Sequence, residues 1–497
     1  MSGLAGKLIK SSFFRVFNLV ATILVTFFMM PFVIGSIGDR WYGLWILAGS
    51  FTGYFGFLDL GLSTANERFI SRALGTGDSK EVNRVFNTCF FLFLIAGMIT
   101  ILASVVIAAV THHFVKDPND AYVFRFIIMA VGIAMAISFP VRTFEGVLYA
   151  HVKFYVVNVI DTLKLILRTF LLVYFLSRGY GIITLAVISL SSEILQHTVI
   201  AVYVIRKFPE VRLSLGCFTR GMVRTLFGYS IYSFISNVAD KLKYHLDAFV
   251  ITGTLGLAMV THYNIGSRIA SYYLLLITAA TALVMPIFSA FEGLGDYDQI
   301  REKFVFFTKL NVILSVFLGG SILIYGKAFI MRWMGVEYLD AYDVLLVLMI
   351  GAVVTTIQIT SKSLLYGLSK HPMYALMVSV EGVANLVLSL ILVRTHGIVG
   401  VALGTTIPAI IVNLFVLPAY ANQVIGMPLW KYTRTVAAVV FVGGAVLLVC
   451  WFAVRNYITM SYMRIALLGA ATSVAFVLVC LFVLLSRDER RHFRIPI

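Results

Sequence analysis

Residues 75–86 read GTGDSKEVNRVF, and residues 293–304 read GLGDYDQIREKF. Gly75, Gly77, Asp78 and Phe86 of the first stretch fall on Gly293, Gly295, Asp296 and Phe304 of the second, and Val82 falls opposite Ile300. The same offset of about 217 residues returns elsewhere in the chain. IGSIG (34–38) matches TGTLG (252–256), and Asn18 sits close to the position of Asn237. Leu148-Tyr149-Ala150 matches Leu365-Tyr366-Gly367, and SRGYGIITLAV (177–187) matches VRTHGIVGVAL (393–403). Matches that keep one order and one spacing mark an internal duplication.

What surrounds the repeated segments sets the solvent. Of the 497 residues, 60% are hydrophobic and 12% charged, whereas a soluble chain of this size carries about 25% charged residues. Apolar runs of roughly 20 residues, the length that crosses a hydrocarbon core of about 30 Å, recur along the whole chain. The expected spans are 13–34, 41–62, 85–111, 122–148, 155–177, 180–205, 225–252, 260–290, 304–330, 342–368, 373–395, 397–421, 431–454 and 462–485. The first has no small-residue cleavage site after it and is read as a retained membrane helix rather than a signal peptide.

Each repeat unit holds an even number of spans, so the second half enters the bilayer in the same direction as the first, and the halves are parallel repeats about an axis along the membrane normal. The expected fold class is therefore an all-α polytopic membrane protein of about fourteen transmembrane helices. It has an N-terminal six-helix lobe (1–210), a C-terminal six-helix lobe (211–425) and an additional helix pair with a basic tail (426–497).

The formal net charge is +16. With both termini on the cytoplasmic side, basic residues in cytoplasmic loops and flanks outnumber those on the other side roughly three to one, the asymmetry that orients membrane proteins. Most of the charge is thus topological, and no nucleic-acid partner is needed to explain it.

Ionisable residues inside apolar spans carry more information, because each costs at least about 2.5 kcal/mol at the bilayer centre and so faces protein or a watery cavity. In span 155–177, Asp161, Lys164 and Arg168 share one helical face. In span 225–252, Asn237, Asp240, Tyr244 and Asp247 form a stripe, with Lys241 and Lys243 beside it. Arg15 and Asn18 share a face of the first span, Asn264 and Arg268 lie on the eighth, Glu193 and His197 on the sixth, and Glu381 and Asn385 on the eleventh. Within the fifth, seventh and eighth spans basic residues outnumber acidic ones, which suits an anionic ligand such as a phosphate or pyrophosphate. Arg15, Asn18, Lys164, Arg168, Asn237, Lys241 and Arg268 are the candidate substrate-binding residues. Asp161, Glu193, Asp240 and Glu381 are candidate carboxylates for coupling to Na+ or H+. Pairs such as Asp161 with Lys164, and headgroup snorkelling by Arg15 and Arg142, are the structural alternatives.

Motifs of catalysis are missing. There is no HExxH, no CxxC and no GxSxG elbow. Gly320–Lys327 (GSILIYGK) has one residue too many between its glycines for a phosphate-binding loop, and Ala328 stands where a magnesium-binding hydroxyl is required. Cys89, Cys217, Cys450 and Cys480 are far apart and read as apolar packing. Neither an enzyme nor a cofactor or metal is expected.

FGFLDLGLSTANERFISRALGTGD (55–78) resembles the second-helix signature of the polysaccharide transporter branch of the multidrug/oligosaccharidyl-lipid/polysaccharide (MOP) flippase superfamily. The second half is similar in its turn: Gly253–Gly256, then Val260, Tyr263, Gly266 and Arg268, then Pro286, Ser289, Gly295 and Asp296. FPVRTFEGVLYAHVKF (139–154) is similar to the fourth-helix end of these proteins. The resemblance implies a Wzx-like flippase. Its substrate would be an undecaprenyl-pyrophosphate-linked oligosaccharide, carried across the bacterial inner membrane for exopolysaccharide or O-antigen synthesis. It also implies two six-helix lobes, alternating access, membrane lipids and a polysaccharide polymerase or co-polymerase as partners, and Arg15 and Arg268 as the closest positional matches to basic residues that engage the pyrophosphate. A MATE-type multidrug/cation antiporter and a lipid II flippase are the competing readings.

Overall fold

The structure is a computed structural model and describes residues 2–113, 115–209, 211–228, 230, 246–282, 284–455 and 461–484. Among these residues the chain is helical, with no strand. Ten helical stretches of the described residues are long and apolar enough to cross a membrane. Their flanks expose large apolar side chains, such as Phe28 (69%), Leu102 (64%) and Phe441 (80%), that water would not tolerate in such number. The protein is a multi-pass membrane protein.

Contacts divide the chain into two compact units, Met1–Thr261 and His262–Ile497. The first contains α1 (Ser2–Ile37), α2 (Asp39–Phe55), α3 (Leu62–Gly75), α4 (Ser79–Ala109), α5 (Pro118–Ala150), α6 (Phe154–Leu176), α7 (Ile182–Lys207) and α8 (Asp247–Thr254). α9 (Leu257–Ala280) begins in the first unit and leads into the second. The second unit continues with α10 (Val284–Gly293), α11 (Tyr297–Trp333), α12 (Asp340–Ile357), α13 (Ile359–Gly367), α14 (His371–Ile411), α15 (Leu417–Val424), α16 (Leu429–Val454) and α17 (Tyr462–Val479).

A helix occupies each expected span except 225–252, of which only the ends are described. Several spans differ from continuous crossings. Span 41–62 breaks after Phe55 into a 3-10 turn, Gly56–Asp59, and the chain passes through left-handed Leu60 (φ 51°) and Gly61 (φ 75°) before α3 begins. Span 260–290 breaks between α9 and α10, and span 342–368 breaks at Gln358. Spans 373–395 and 397–421 run together as α14, kinked at Gly397 (φ 57°, ψ −138°). Broken helices survive at membrane depth only where protein groups satisfy the freed backbone. Asp59 does this at the first break, accepting from the Ser63 amide at 3.3 Å and from the Ser63 hydroxyl.

The repeat is written in the backbone. Gly77 and Gly295 share φ 70°, and the aspartate after each caps the next helix: Asp78 accepts from the amides of Lys80 and Glu81, and Asp296 from that of Gln299. Val152 (φ 57°) and Ser369 (φ 56°) occupy matching left-handed turns, closed by Lys153 N–H to Leu148 O at 2.8 Å and Lys370 N–H to Leu365 O at 2.7 Å. Gly38 and Gly256 match likewise, with φ 83° and 94°. Gly397 has a positive φ (57°), and in the matching loop of the first half the positive-φ glycine is Gly179 (φ 83°), two residues before Gly181. The apolar matches hold as well: Val82, Phe86, Ile300 and Phe304 are all buried.

The first unit also brings α2 against α8 and the start of α9. The Phe51 ring meets Phe249 edge-on at 4.8 Å. A Cβ added to Gly43 would stand 1.9 Å from the Leu257 carbonyl oxygen, so only glycine admits this approach. One turn away the Thr261 hydroxyl donates to the Asp39 carbonyl at 2.7 Å. At the repeat spacing that pairs Gly38 with Gly256, Leu257 is the counterpart of Asp39 and Thr261 the counterpart of Gly43. The contact is therefore isologous, each segment offering the same two positions to the other.

Within the second unit a polar knot holds α9, α11 and α12. The buried Tyr273 hydroxyl lies 2.6 Å from Thr356 Oγ1 and donates to Ser315 O at 3.1 Å. Asn311 donates to Thr356 O at 2.6 Å, meeting carbonyls that the break at Gln358 leaves open.

Candidate functional site

The charged face of α6 meets α7. Lys164 Nζ lies 2.9 Å from Glu193 Oε1, and Gln196 Nε2 donates to Asp161 Oδ1. His197 Nε2 is 3.7 Å from the other Glu193 oxygen. Asp161 and Lys164 thus find partners on the neighbouring helix rather than each other. Asn18 ties α1 to the same helix, donating to Thr162 Oγ1 at 2.9 Å and to the Asn158 carbonyl at 3.3 Å.

α5 supplies the opposite wall. Its Pro140 removes one helical amide, and the following turns present Arg142, Glu145 and Tyr149. Arg142 does not snorkel to a headgroup. Its Nη1 lies 2.5 Å from Asp59 Oδ2 at the break after α2, and its guanidinium stacks 4.8 Å from the Phe139 ring centre. Between α2, α3, α5, α6 and α7 lies a cavity of about 590 Å³. Arg142, Arg168, Glu67, Glu145, Glu193 and His197 are the charged and titratable members of its lining. Trp45 and Tyr149 are its aromatic ones. Tyr149 is within electrostatic reach of Glu145, Asp161, Glu67 and Arg15, which brings the first-helix arginine to the same region.

Of the sequence candidates, Asn18, Asp161, Lys164, Arg168 and Glu193 thus come together, with Arg15 alongside. Arg268 is half-buried on α9 and belongs to the second unit. Glu381, only 2% exposed on α14, lies one turn from Asn385, which accepts from Ser389 at 3.0 Å and Thr405 at 3.3 Å. Asn237, Asp240 and Lys241 lie outside the described residues.

Sequence reasoning missed Glu67, Glu145 and the Arg142–Asp59 pair. Their signal was present: Asp59 sits before a left-handed glycine, and Arg142 and Glu145 are spaced i, i+3 in an apolar span. The expectation of a basic excess came from three spans only. In this cavity carboxylates from α3 and α5 stand beside the cations. Among the described residues, no group of three His, Cys, Asp or Glu side chains is placed to hold a metal ion.

A second polar cluster joins the N-terminal ends of α2 and α5. Arg40 Nη2 lies 2.7 Å from both Asp117 and Asp120, and its Nε donates to Asp120 at 2.8 Å. This hydrogen-bonded guanidinium holds the exposed Asp117 carboxyl below the usual aspartate range, aided by the Asp120 and Asn119 amides.

A helix broken beside the half-buried Asp59 carboxylate, an internal repeat and a polar cavity inside an apolar bundle are the features of a membrane carrier fold. Comparison with known proteins identifies the lineage. Residues 69–343 match the family described as polysaccharide biosynthesis protein, more than half of the chain, and the chain belongs to that family. A putative O-antigen transporter of Shigella flexneri is 22% identical over 442 residues, covering 86% of this chain and 98% of that protein. A probable low-salt glycan biosynthesis flippase, Agl15 of Haloferax volcanii, is 24% identical over 184 residues, 37% of this chain and 39% of that protein. Among solved structures, the lipid II flippase MurJ in an inward closed conformation superposes with a TM-score of 0.72 at 16% identity, covering 93% of this chain and 98% of that one. An inward-facing MATE transporter of the MOP superfamily gives 0.69 at 15% identity, covering 81% and 94%. These likenesses show the fold.

Proposed function

We propose that this protein is a polysaccharide flippase, and that its substrate is an undecaprenyl-pyrophosphate-linked oligosaccharide repeat unit. It moves this unit from the cytoplasmic to the outer leaflet of the bacterial inner membrane by alternating access, for exopolysaccharide or O-antigen synthesis. The observation that carries the reading is the polar cavity inside the first unit of a member of the polysaccharide biosynthesis family. The headgroup enters the cavity while the polyprenyl tail stays in lipid. Arg168, with Arg15 and Lys164 nearby, replaces part of the hydration of the pyrophosphate. Lowering that desolvation cost lowers the barrier to crossing.

The proposal includes fourteen crossings with both termini in the cytoplasm and a polymerase acting on the product. It also includes coupling to Na+ or H+ through Asp161, Glu193 or Glu381. Deletion of the gene is the test. Lipid-linked repeat units should accumulate on the cytoplasmic leaflet and surface polysaccharide should fall, with both restored by the wild-type gene and neither by Arg168→Glu. Normal surface polysaccharide in the deletion strain overturns the proposal. Loss of resistance to cationic drugs with polysaccharide intact would favour the MATE-type reading instead.

A further inference from the structure

A second cavity of the first unit, of about 510 Å³, lies among the N-terminal ends of α2, α5 and α9. Arg40, His113, Lys116, Asp117 and Asp120 line it together with the segment 252–258, which runs from the end of α8 into α9. The expected apolar spans around it begin at 41, 122 and 260 and end at 111 and 252. The cavity therefore sits at headgroup depth, between hydrocarbon and water. Val110 and Tyr122, on the elements that flank it, are both exposed, and a tyrosine at this depth is an interfacial anchor.

The lining separates its charges. Arg40 is shared between Asp117 and Asp120, and one guanidinium between two carboxylates leaves one negative charge. Its Nε holds Asp120 Oδ2. Asp120 Oδ1 is buried, on a side chain only 5% exposed, and accepts no hydrogen bond among the described residues. A buried carboxylate oxygen without a donor is costly, and the cavity is where a donor can enter. Positive charge lies elsewhere on the lining. Lys116 is exposed and makes no ion pair among the described residues. Gly256 (φ 94°) leads into Leu257 and Ala258, whose amides open α9 and have no intrahelical acceptor. A helix N-terminus beside a lysine receives phosphate.

We propose that this cavity binds the headgroup of a phosphatidylethanolamine lipid. The ammonium donates to Asp120 Oδ1 beside Asp117, the phosphate meets Lys116 and the α9 N-terminus, and the acyl chains lie against the exposed apolar sides of α4 and α5. In the proposed topology this lipid belongs to the outer leaflet. The inference goes beyond the transport reading and does not depend on what the protein carries. Phosphatidylcholine has the same two charges, but its nitrogen has no N–H to give the orphan oxygen. Phosphatidylglycerol brings hydroxyls without the positive charge.

The test uses the full-length protein, purified in detergent and stripped of co-purified lipid, with binding of the three dioleoyl lipids read by native mass spectrometry. Phosphatidylethanolamine should bind about tenfold tighter than either of the others, the scale of one charge-assisted hydrogen bond. Asp120→Asn should bring it down to the level of phosphatidylcholine. Lys116→Gln should weaken both zwitterionic lipids severalfold, leave their ratio unchanged and leave the lipid-free thermal midpoint at the wild-type value. Equal binding of the two zwitterionic lipids by the wild type overturns the site. So does a preference that survives Asp120→Asn, or wild-type affinity for both lipids in Lys116→Gln. If Asp120→Asn does not fold, the wild-type ratio and Lys116→Gln still decide. Free phosphoethanolamine should displace the lipid only at far higher concentration. Equal affinity of the two would overturn the lipid assignment in favour of a soluble aminoalkyl phosphate.

Discussion

Asp59 accepts from Ser63 and binds Arg142, so one side chain both closes the break after α2 and fixes the charge on the cavity wall. Its side chain is 15% exposed and that of Arg142 27%, which leaves little water to replace either partner. Asp59→Asn should destabilise the protein by about 2 kcal/mol, and so should Arg142→Gln. The double variant should cost clearly less than the sum of the two, as thermal melts in detergent would report; a purely additive cycle would deny the pair. Asp117 offers a pH readout at the opposite ends of these helices. Its folded pKa is depressed by Arg40. Its contribution is therefore complete above the unfolded value and is lost as pH falls through the folded one. Arg40→Gln should lower the thermal midpoint by a constant amount between about pH 5 and about pH 8, and that difference should shrink below about pH 4. A gap that widens with acid would contradict the assignment.

At the level of elements, apolar run length located the membrane helices because length and hydropathy are local properties. Breaks were less legible. Span 41–62 reads as one run, yet its continuity ends where Leu60 and Gly61 turn left-handed, a choice made by Asp59 and Arg142, 83 residues apart. The repeat was legible through glycines and aspartates, since Gly77-Asp78 and Gly295-Asp296 encode a turn and a cap in two residues each. The charged face of α6 was legible from its spacing, but not its partners. Lys164 prefers Glu193 on α7 over Asp161 on its own helix, and periodicity within one helix carries no information about the next. Glu67 escaped for a related reason: it lies beyond the expected span 41–62 and looks like an isolated surface charge until α3 and α5 are folded against the same space.

At the scale of the whole molecule, alternating access requires that some contact close one side of the bilayer and then part. The close approach of Gly43 to Leu257, supported by the bond from Thr261 to Asp39, belongs on the extracytoplasmic side in the proposed topology. Gly43→Leu sets a side chain where the Leu257 carbonyl stands and should keep that side open. In membrane vesicles or whole cells, a cysteine introduced by Ala258→Cys should react severalfold faster with an impermeant maleimide applied from outside when Gly43→Leu is also present. An unchanged rate would remove this contact from the gating role.

That contact also speaks to the history of the chain. A half-length ancestor making it with a second copy of itself would have needed one residue at position 43 to do two jobs. It would have to vanish so that a neighbouring carbonyl could come close, and also project a hydroxyl to that neighbour's backbone. In a chain that carries both positions with different residues the conflict is absent. One descendant of the position, Gly43, became pure absence, and the other, Thr261, became pure donor. The division of labour at this seam is an asymmetry that two identical copies could not carry.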